Sequence, residues 1–106
     1  MIQRFRSKAL KLAFDGDVSK LTPNVARRIM QVLDVLDAAT SLSDLEGLTG
    51  FHGLGGDRQE TYAVTITRNW RITFIPQIET IENPDSREQE TEFQLVKVDY
   101  EDYHGD

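Results

Sequence analysis

Cysteine is absent from this chain of 106 residues, which excludes a disulfide framework and any cysteine-based metal site. Histidine is almost absent too. His52 and His104 are the pair available, and their wide separation shows no metal-ligand spacing. No metal and no cofactor is expected. No apolar run approaches the roughly 20 residues that span a bilayer. The opening Met1-Ile2-Gln3-Arg4-Phe5-Arg6 lacks the apolar stretch of a secretory signal. The expectation is a cytoplasmic protein with no membrane association.

What is present is the make-up of one folded domain, 1–106, with 39% hydrophobic residues. The net charge of −6 is unevenly spread. Residues 1–40 hold seven Lys/Arg against four Asp/Glu, whereas residues 77–106 hold two against ten. The N-terminal half can therefore present a basic face, although a charged helix face is also simply a solvated one. Overall acidity argues against tight, nonspecific nucleic-acid binding.

Along the chain, Ile2 and Phe5 suggest a short first strand. Ala9, Leu10, Leu12, Ala13 and Phe14 suggest a helix that Asp15-Gly16-Asp17 stops. Thr22-Pro23 starts a second helix, with Thr22 as cap. Ile29, Leu33 and Leu36 should face the core, and Arg27, Arg28, Gln31 and Asp34 should face water. A glycine-rich loop from Ser41 to Asp57 leads to the alternating run Tyr62–Thr67. A turn at Arg68-Asn69 and a second alternating run, Trp70, Ile72 and Phe74, complete a hairpin that Pro76 should end. An acidic loop or hairpin insertion is expected at about 77–92, before a last strand marked by Phe93, Leu95 and Val98. This order predicts an α+β domain, with two helices on one face of an antiparallel sheet.

Three clusters carry chemistry. His52-Gly53-Leu54-Gly55-Gly56-Asp57-Arg58 suits close backbone approach to a phosphate, or a tight connection; without Gly-Lys-Ser/Thr it is no P-loop. In Asn69-Trp70-Arg71, strand alternation places Arg71 on the face opposite Trp70. There it suits two-point contact with a phosphate, or a cross-strand salt bridge. The third cluster, Val98-Asp99-Tyr100-Glu101-Asp102-Tyr103-His104, ends in a histidine. Taken alone it is a polar tail or part of an acid–base site. If His52, Arg58, Arg71 and His104 converge, they form a set for transesterification of RNA: proton removal, proton donation and charge stabilisation on the phosphorane.

Together these residues resemble the HigB-type toxins, the plasmid-maintenance killer proteins of the RelE superfamily. The resemblance spans nearly the whole chain. It is carried by Ile2-x-x-Phe5, Leu33–Thr40, His52-x-Leu54-x-Gly56-Asp57-Arg58, Asn69–Phe74 and Val98–His104. It implies a small curved antiparallel sheet with two N-terminal helices packed on one face. It also implies a ribosome-dependent endoribonuclease that cuts mRNA using the messenger's own 2′-hydroxyl. The implied partners are the ribosome, mRNA and a cognate helix-turn-helix antitoxin (HigA-like), with operator DNA reached only through that antitoxin.

Position by position, the resemblance makes His52, Arg71, Asp102, Tyr103 and His104 the catalytic set. His104 or Asp102 would transfer protons with His52 as partner, Arg71 would stabilise the phosphate, and Tyr103 would stack on or orient a base. Arg58 and Arg68 are RNA-contact candidates, Arg58 in a supporting position. The family loop usually reads His-Pro-Leu-Lys-Gly; here Gly53 replaces the proline and Gly55 the lysine. The lost cation and the acidic 77–92 stretch suggest a second reading: a catalytically weakened module acting mainly as antitoxin partner and co-repressor. A gyrase-targeting relative on the same fold ranks below both, because that group is not expected to need the two histidines or the terminal cluster.

Overall fold

Ser7 opens the first helix: its hydroxyl accepts the Leu10 N–H at 3.2 Å. In the computed structural model, which describes residues 1–103, helix α1 (Lys8–Phe14) buries Leu10 and Ala13. It stops in a Schellman turn. Gly16 N–H donates to Ala13 at 3.0 Å and Asp17 N–H to Leu12 at 2.8 Å. Gly16 takes φ +104°, which a side chain would oppose. Helix α2 (Pro23–Ala38) starts differently from the expectation. The Thr22 side chain makes no capping hydrogen bond, and Pro23 supplies the start through its fixed φ. Ala26, Ile29, Val32, Leu33 and Leu36 form its buried face. Arg28, expected in water, is part-buried, with Nη2 3.5 Å from the Thr65 carbonyl.

The sheet is antiparallel, in the order β1 (His52–Gly53), β2 (Tyr62–Thr65), β3 (Trp70–Glu82), β4 (Gln89–Asp102). The Ile2–Phe5 segment runs parallel along the outer edge of β4, with bridges from Ile2 to Leu95 and from Phe5 to Val98. Gln3 and Arg6 donate to Leu95 and Val98, each at 2.8 Å, so this edge is partly covered. One face of the sheet meets the helices. Leu10, Ile29, Leu33, Leu36, Val64, Ile72, Phe74, Leu95 and Val98 form the core there. The fold is therefore α+β, as the element order predicts.

A bulge sets which β4 residues reach that core. Thr73 pairs with Asp99 and Ile75 with Val96, so Lys97 and Val98 together oppose Phe74. Lys97 absorbs the extra residue at φ +53°. Leu95 and Val98, three apart, thus both point to the core and are fully buried, while Asp99 and Glu101 take the other face.

Strand β3 runs past the point at which the sequence expectation ended it. Pro76 does not end its strand. It pairs with Leu95 beyond Phe74, the last β3 residue matched to β2, so its missing N–H deprives no β2 partner. Residues 78–82 then pair with 89–93 as a two-stranded ribbon, closed by a turn in which Arg87 N–H donates to Asn83 at 2.8 Å. Trp70 lies at the core's rim, 37% exposed and stacked on Tyr100 at 4.6 Å, rather than inside it. Among the described residues, no helix is long and apolar enough to cross a membrane.

Candidate active site

Directly paired residues on neighbouring strands share a face. The register therefore builds two rows on the face away from the helices. One is Thr65, Arg71 and Glu101; the next is His52, Ala63, Thr73 and Asp99.

Glu101 is the centre of the first row. Its carboxylate accepts Nη1 of Arg58 at 2.8 Å and Nη2 at 2.6 Å, a two-pronged ion pair. The Thr73 hydroxyl, itself buried, also donates to it. Arg71 Nη2 lies 3.7 Å away, close enough for charge attraction but long for a hydrogen bond. The Arg58 hydrogen bonds, the Thr73 hydroxyl and the two nearby cations outweigh the burial that opposes ionisation, and they hold the Glu101 carboxyl at about 2. The same bonds push the Arg58 guanidinium above its ordinary range.

Arg71 is held differently. Its side chain is 17% exposed, and its guanidinium carbon sits 4.9 Å over the Tyr103 ring. Its Nε is buried without a hydrogen-bond partner. Tyr103 is fixed from two directions: its N–H donates to the Asn69 carbonyl at 2.7 Å, and its hydroxyl lies 2.8 Å from Thr65 Oγ1.

His52 is exposed on β1, and its Nδ1 lies 2.7 Å from the Gly50 carbonyl. A carbonyl only accepts, so Nδ1 carries a proton and Nε2 is the ring nitrogen left to meet a substrate. His52 shares its face with Arg71 but stands two strands from β3, on the order of 10 Å across the sheet. Asp102 pairs with Trp70, so strand alternation places it on the face opposite Glu101 and Tyr103. Arg68 is exposed on the turn between β2 and β3. His104 lies outside the described residues, directly after Tyr103.

The structure thus brings Arg71, Tyr103 and Arg58 together, leaves His52 across the sheet from them, and puts Asp102, expected in the same set, on the other face. It also adds Glu101, Thr65 and Thr73, which the sequence reading did not single out. The signal for Glu101 was available: alternation from Tyr103 puts Glu101 on the same face, opposite Arg71. Beside this cluster opens a groove of about 460 Å³, whose lining includes Arg6, Arg58, Thr73, Lys97, Asp99 and Glu101. At Gly55, where relatives are expected to carry lysine, an added Cβ meets nothing within 4 Å.

A cation held against an aromatic ring on the sheet face away from the helices is an arrangement suited to a phosphodiester. Comparison with known proteins points the same way. The family model for the RelE-like toxin of the type II toxin–antitoxin system HigB matches residues 3–84, ending in the turn of the ribbon. The endoribonuclease HigB of Proteus vulgaris is 33% identical over 76 residues, covering 70% of this chain and 83% of that protein. Endoribonuclease activity is therefore represented in the family. On fold and on similarity across most of its length, the chain belongs to the HigB-like family of RelE-like toxins of type II toxin–antitoxin systems.

Proposed function

We propose that this chain is the toxin of its toxin–antitoxin pair and acts as a ribosome-dependent endoribonuclease on mRNA. The observation that carries the reading is the Arg71 guanidinium, held against the Tyr103 ring on the sheet face away from the helices and too far from Glu101 for a hydrogen bond. The similarity to an endoribonuclease supports it.

In this mechanism the ribose 2′-oxygen attacks the adjacent phosphorus and the bond from phosphorus to the 5′-oxygen breaks. The products are a 2′,3′-cyclic phosphate and a free 5′-hydroxyl. Arg71 donates to the phosphorane oxygens as charge builds there. Tyr103 offers its ring to an unpaired base. His104, which follows Tyr103, is the candidate for proton transfer at the leaving oxygen, because Asp102 lies on the face of the sheet opposite Arg71. His52, through Nε2, is its partner for the 2′-hydroxyl proton. The ribosome brings the messenger across the sheet to span the distance between His52 and the Arg71 cluster. Arg68, exposed on its turn, contacts the backbone of the RNA. A helix-turn-helix antitoxin of the HigA type holds the activity in check and links the pair to operator DNA.

The test is induced expression followed by mapping of messenger ends on purified ribosomes. Growth arrest and cuts that depend on ribosomes are expected from wild type. Arg71→Ala and His104→Ala should abolish both. A wild-type protein that neither arrests growth nor cuts bound messenger refutes the reading.

Gly55 in place of lysine favours a second reading, a weakened enzyme that serves mainly as antitoxin partner and co-repressor. Operator binding by the antitoxin, measured with and without this chain, separates the two. A gain in affinity from a chain that cuts no RNA supports the second.

A further inference from the structure

We propose that Glu101 sets how many cations this face offers to an RNA backbone: it occupies Arg58 as a phosphate would, and leaves Arg71 as the sole anion-binding arginine of the pair. The inference rests on the reading above for the identity of the anion, a phosphodiester, and on geometry for everything else.

Two carboxylate oxygens on the two Nη atoms of one guanidinium reproduce the two-point contact that arginine makes with a phosphate. Arg58 therefore has its forked face filled. Its side chain is still 41% exposed, at the rim of the groove, so without Glu101 it faces the same space an RNA strand occupies. Arg71 is the reverse case. It is more buried and lies 3.7 Å from Glu101 rather than in hydrogen-bond contact, so its Nη atoms are not spent on the carboxylate. Arg58, Arg71 and Glu101 carry a combined charge of +1. Removing the carboxylate raises it to +2 without adding a basic residue.

Glu101 is thus a positioning residue acting through Arg58. It fits with the absence of lysine at position 55. Two cations are missing from the face, one by substitution and one by internal pairing. The groove offers no surplus to replace them, because Arg6, Arg58 and Lys97 face Asp57, Glu60, Asp99 and Glu101 there.

The test is binding of a short single-stranded RNA, fully 2′-O-methylated so that it has no nucleophile, titrated over a range of KCl. Glu101→Gln should bind several-fold more tightly than wild type at low salt. Its plot of log affinity against log salt should steepen by about 0.7, the increment for one more phosphate contact on a single strand. The double variant Arg58→Gln/Glu101→Gln, again at +1, should return to the wild-type slope. A merely structural Glu101 gives the opposite result, weaker binding with an unchanged or shallower slope, and overturns the proposal.

A measurement on the unaltered protein guards against a variant that does not fold. In guanidinium-selective NMR spectra, RNA should shift the Arg71 signals and leave those of Arg58 in place. Movement of Arg58 with Arg71 at rest overturns the inference, as does failure of both wild type and Glu101→Gln to bind. If binding behaves as stated but ribosome-bound messenger is never cut, the catalytic reading fails and this one stands.

Discussion

The hydroxyl of Tyr103 lies 2.8 Å from Thr65 Oγ1, joining the end of β4 to β2 across the intervening strand. Arg71 sits beneath that span, with Tyr103's ring 4.9 Å above its guanidinium. Tyr103→Phe keeps the ring and removes the tie. Its cost in stability should be about 1 kcal/mol by urea unfolding, the usual worth of one such bond. Messenger cleavage should fall by about tenfold, because the ring loses its fixed position against Arg71. Unchanged cleavage by Tyr103→Phe would show that the ring alone is sufficient.

Gly50 connects the same corner to His52. It takes φ +70°, and an added Cβ would lie 2.0 Å from Thr65 Oγ1. Its carbonyl is also the partner of His52 Nδ1. Gly50→Ala should therefore destabilise the protein by about 1–3 kcal/mol, through backbone strain and the clash together. Gly55→Ala, in open space, is the matched control and should be close to neutral. Thermal melts of the two variants side by side decide the point.

Gly55→Lys restores a cation where nothing obstructs it. If missing charge limits this enzyme, the substitution should raise cleavage of ribosome-bound messenger by about tenfold or more, in the range of one charge-stabilising donor. The melting temperature should barely move. A faster-binding but no faster-cutting variant would assign the lysine to docking rather than chemistry, which the split between kcat and KM reads directly.

Stability should depend on acid through Glu101. Its carboxyl is held at about 2 in the folded chain, below its ordinary 4.5, so the charged form is favoured by folding. The resulting stability is complete above about pH 4.5 and is lost as pH falls from there through about 2. With Glu101 largely buried, the amount at stake is on the order of 2–3 kcal/mol. Denaturant unfolding at pH 6 and pH 3 should show the wild type losing its advantage over Glu101→Gln as pH falls. A constant gap between the two would remove Glu101 from the acid limb.

Much of the fold was legible because its signals are local. The helix α2 pattern, the α1 stop at Gly16 and the Tyr62 and Trp70 alternations each follow from period and turn chemistry. Pro76 misled because a proline forbids a ladder bond only on a side that has a partner, and whether a neighbouring strand extends that far is not a local property. The Lys97 bulge was hidden for a related reason. Leu95 and Val98 break the two-residue alternation, and only pairing with β3 shows that both reach the core. At the site, Arg71 and Tyr103 stood out by residue type. Glu101 did not, because a glutamate in an acidic tail looks solvated until register places it opposite Arg71 and within reach of Arg58.

The long β3–β4 pairing separates two jobs along one pair of strands. The Arg71–Glu101 rung lies near one end, and the Asn83 turn closes the other. Between them, each added pair of residues per strand moves the tip outward by about 7 Å and leaves every inner rung in place. A single-residue change in one strand instead inverts the faces beyond it. This arm can therefore vary in length over evolutionary time in even steps, and a binder or tag grafted at the Asn83 turn would be carried clear of the Arg71–Glu101 face.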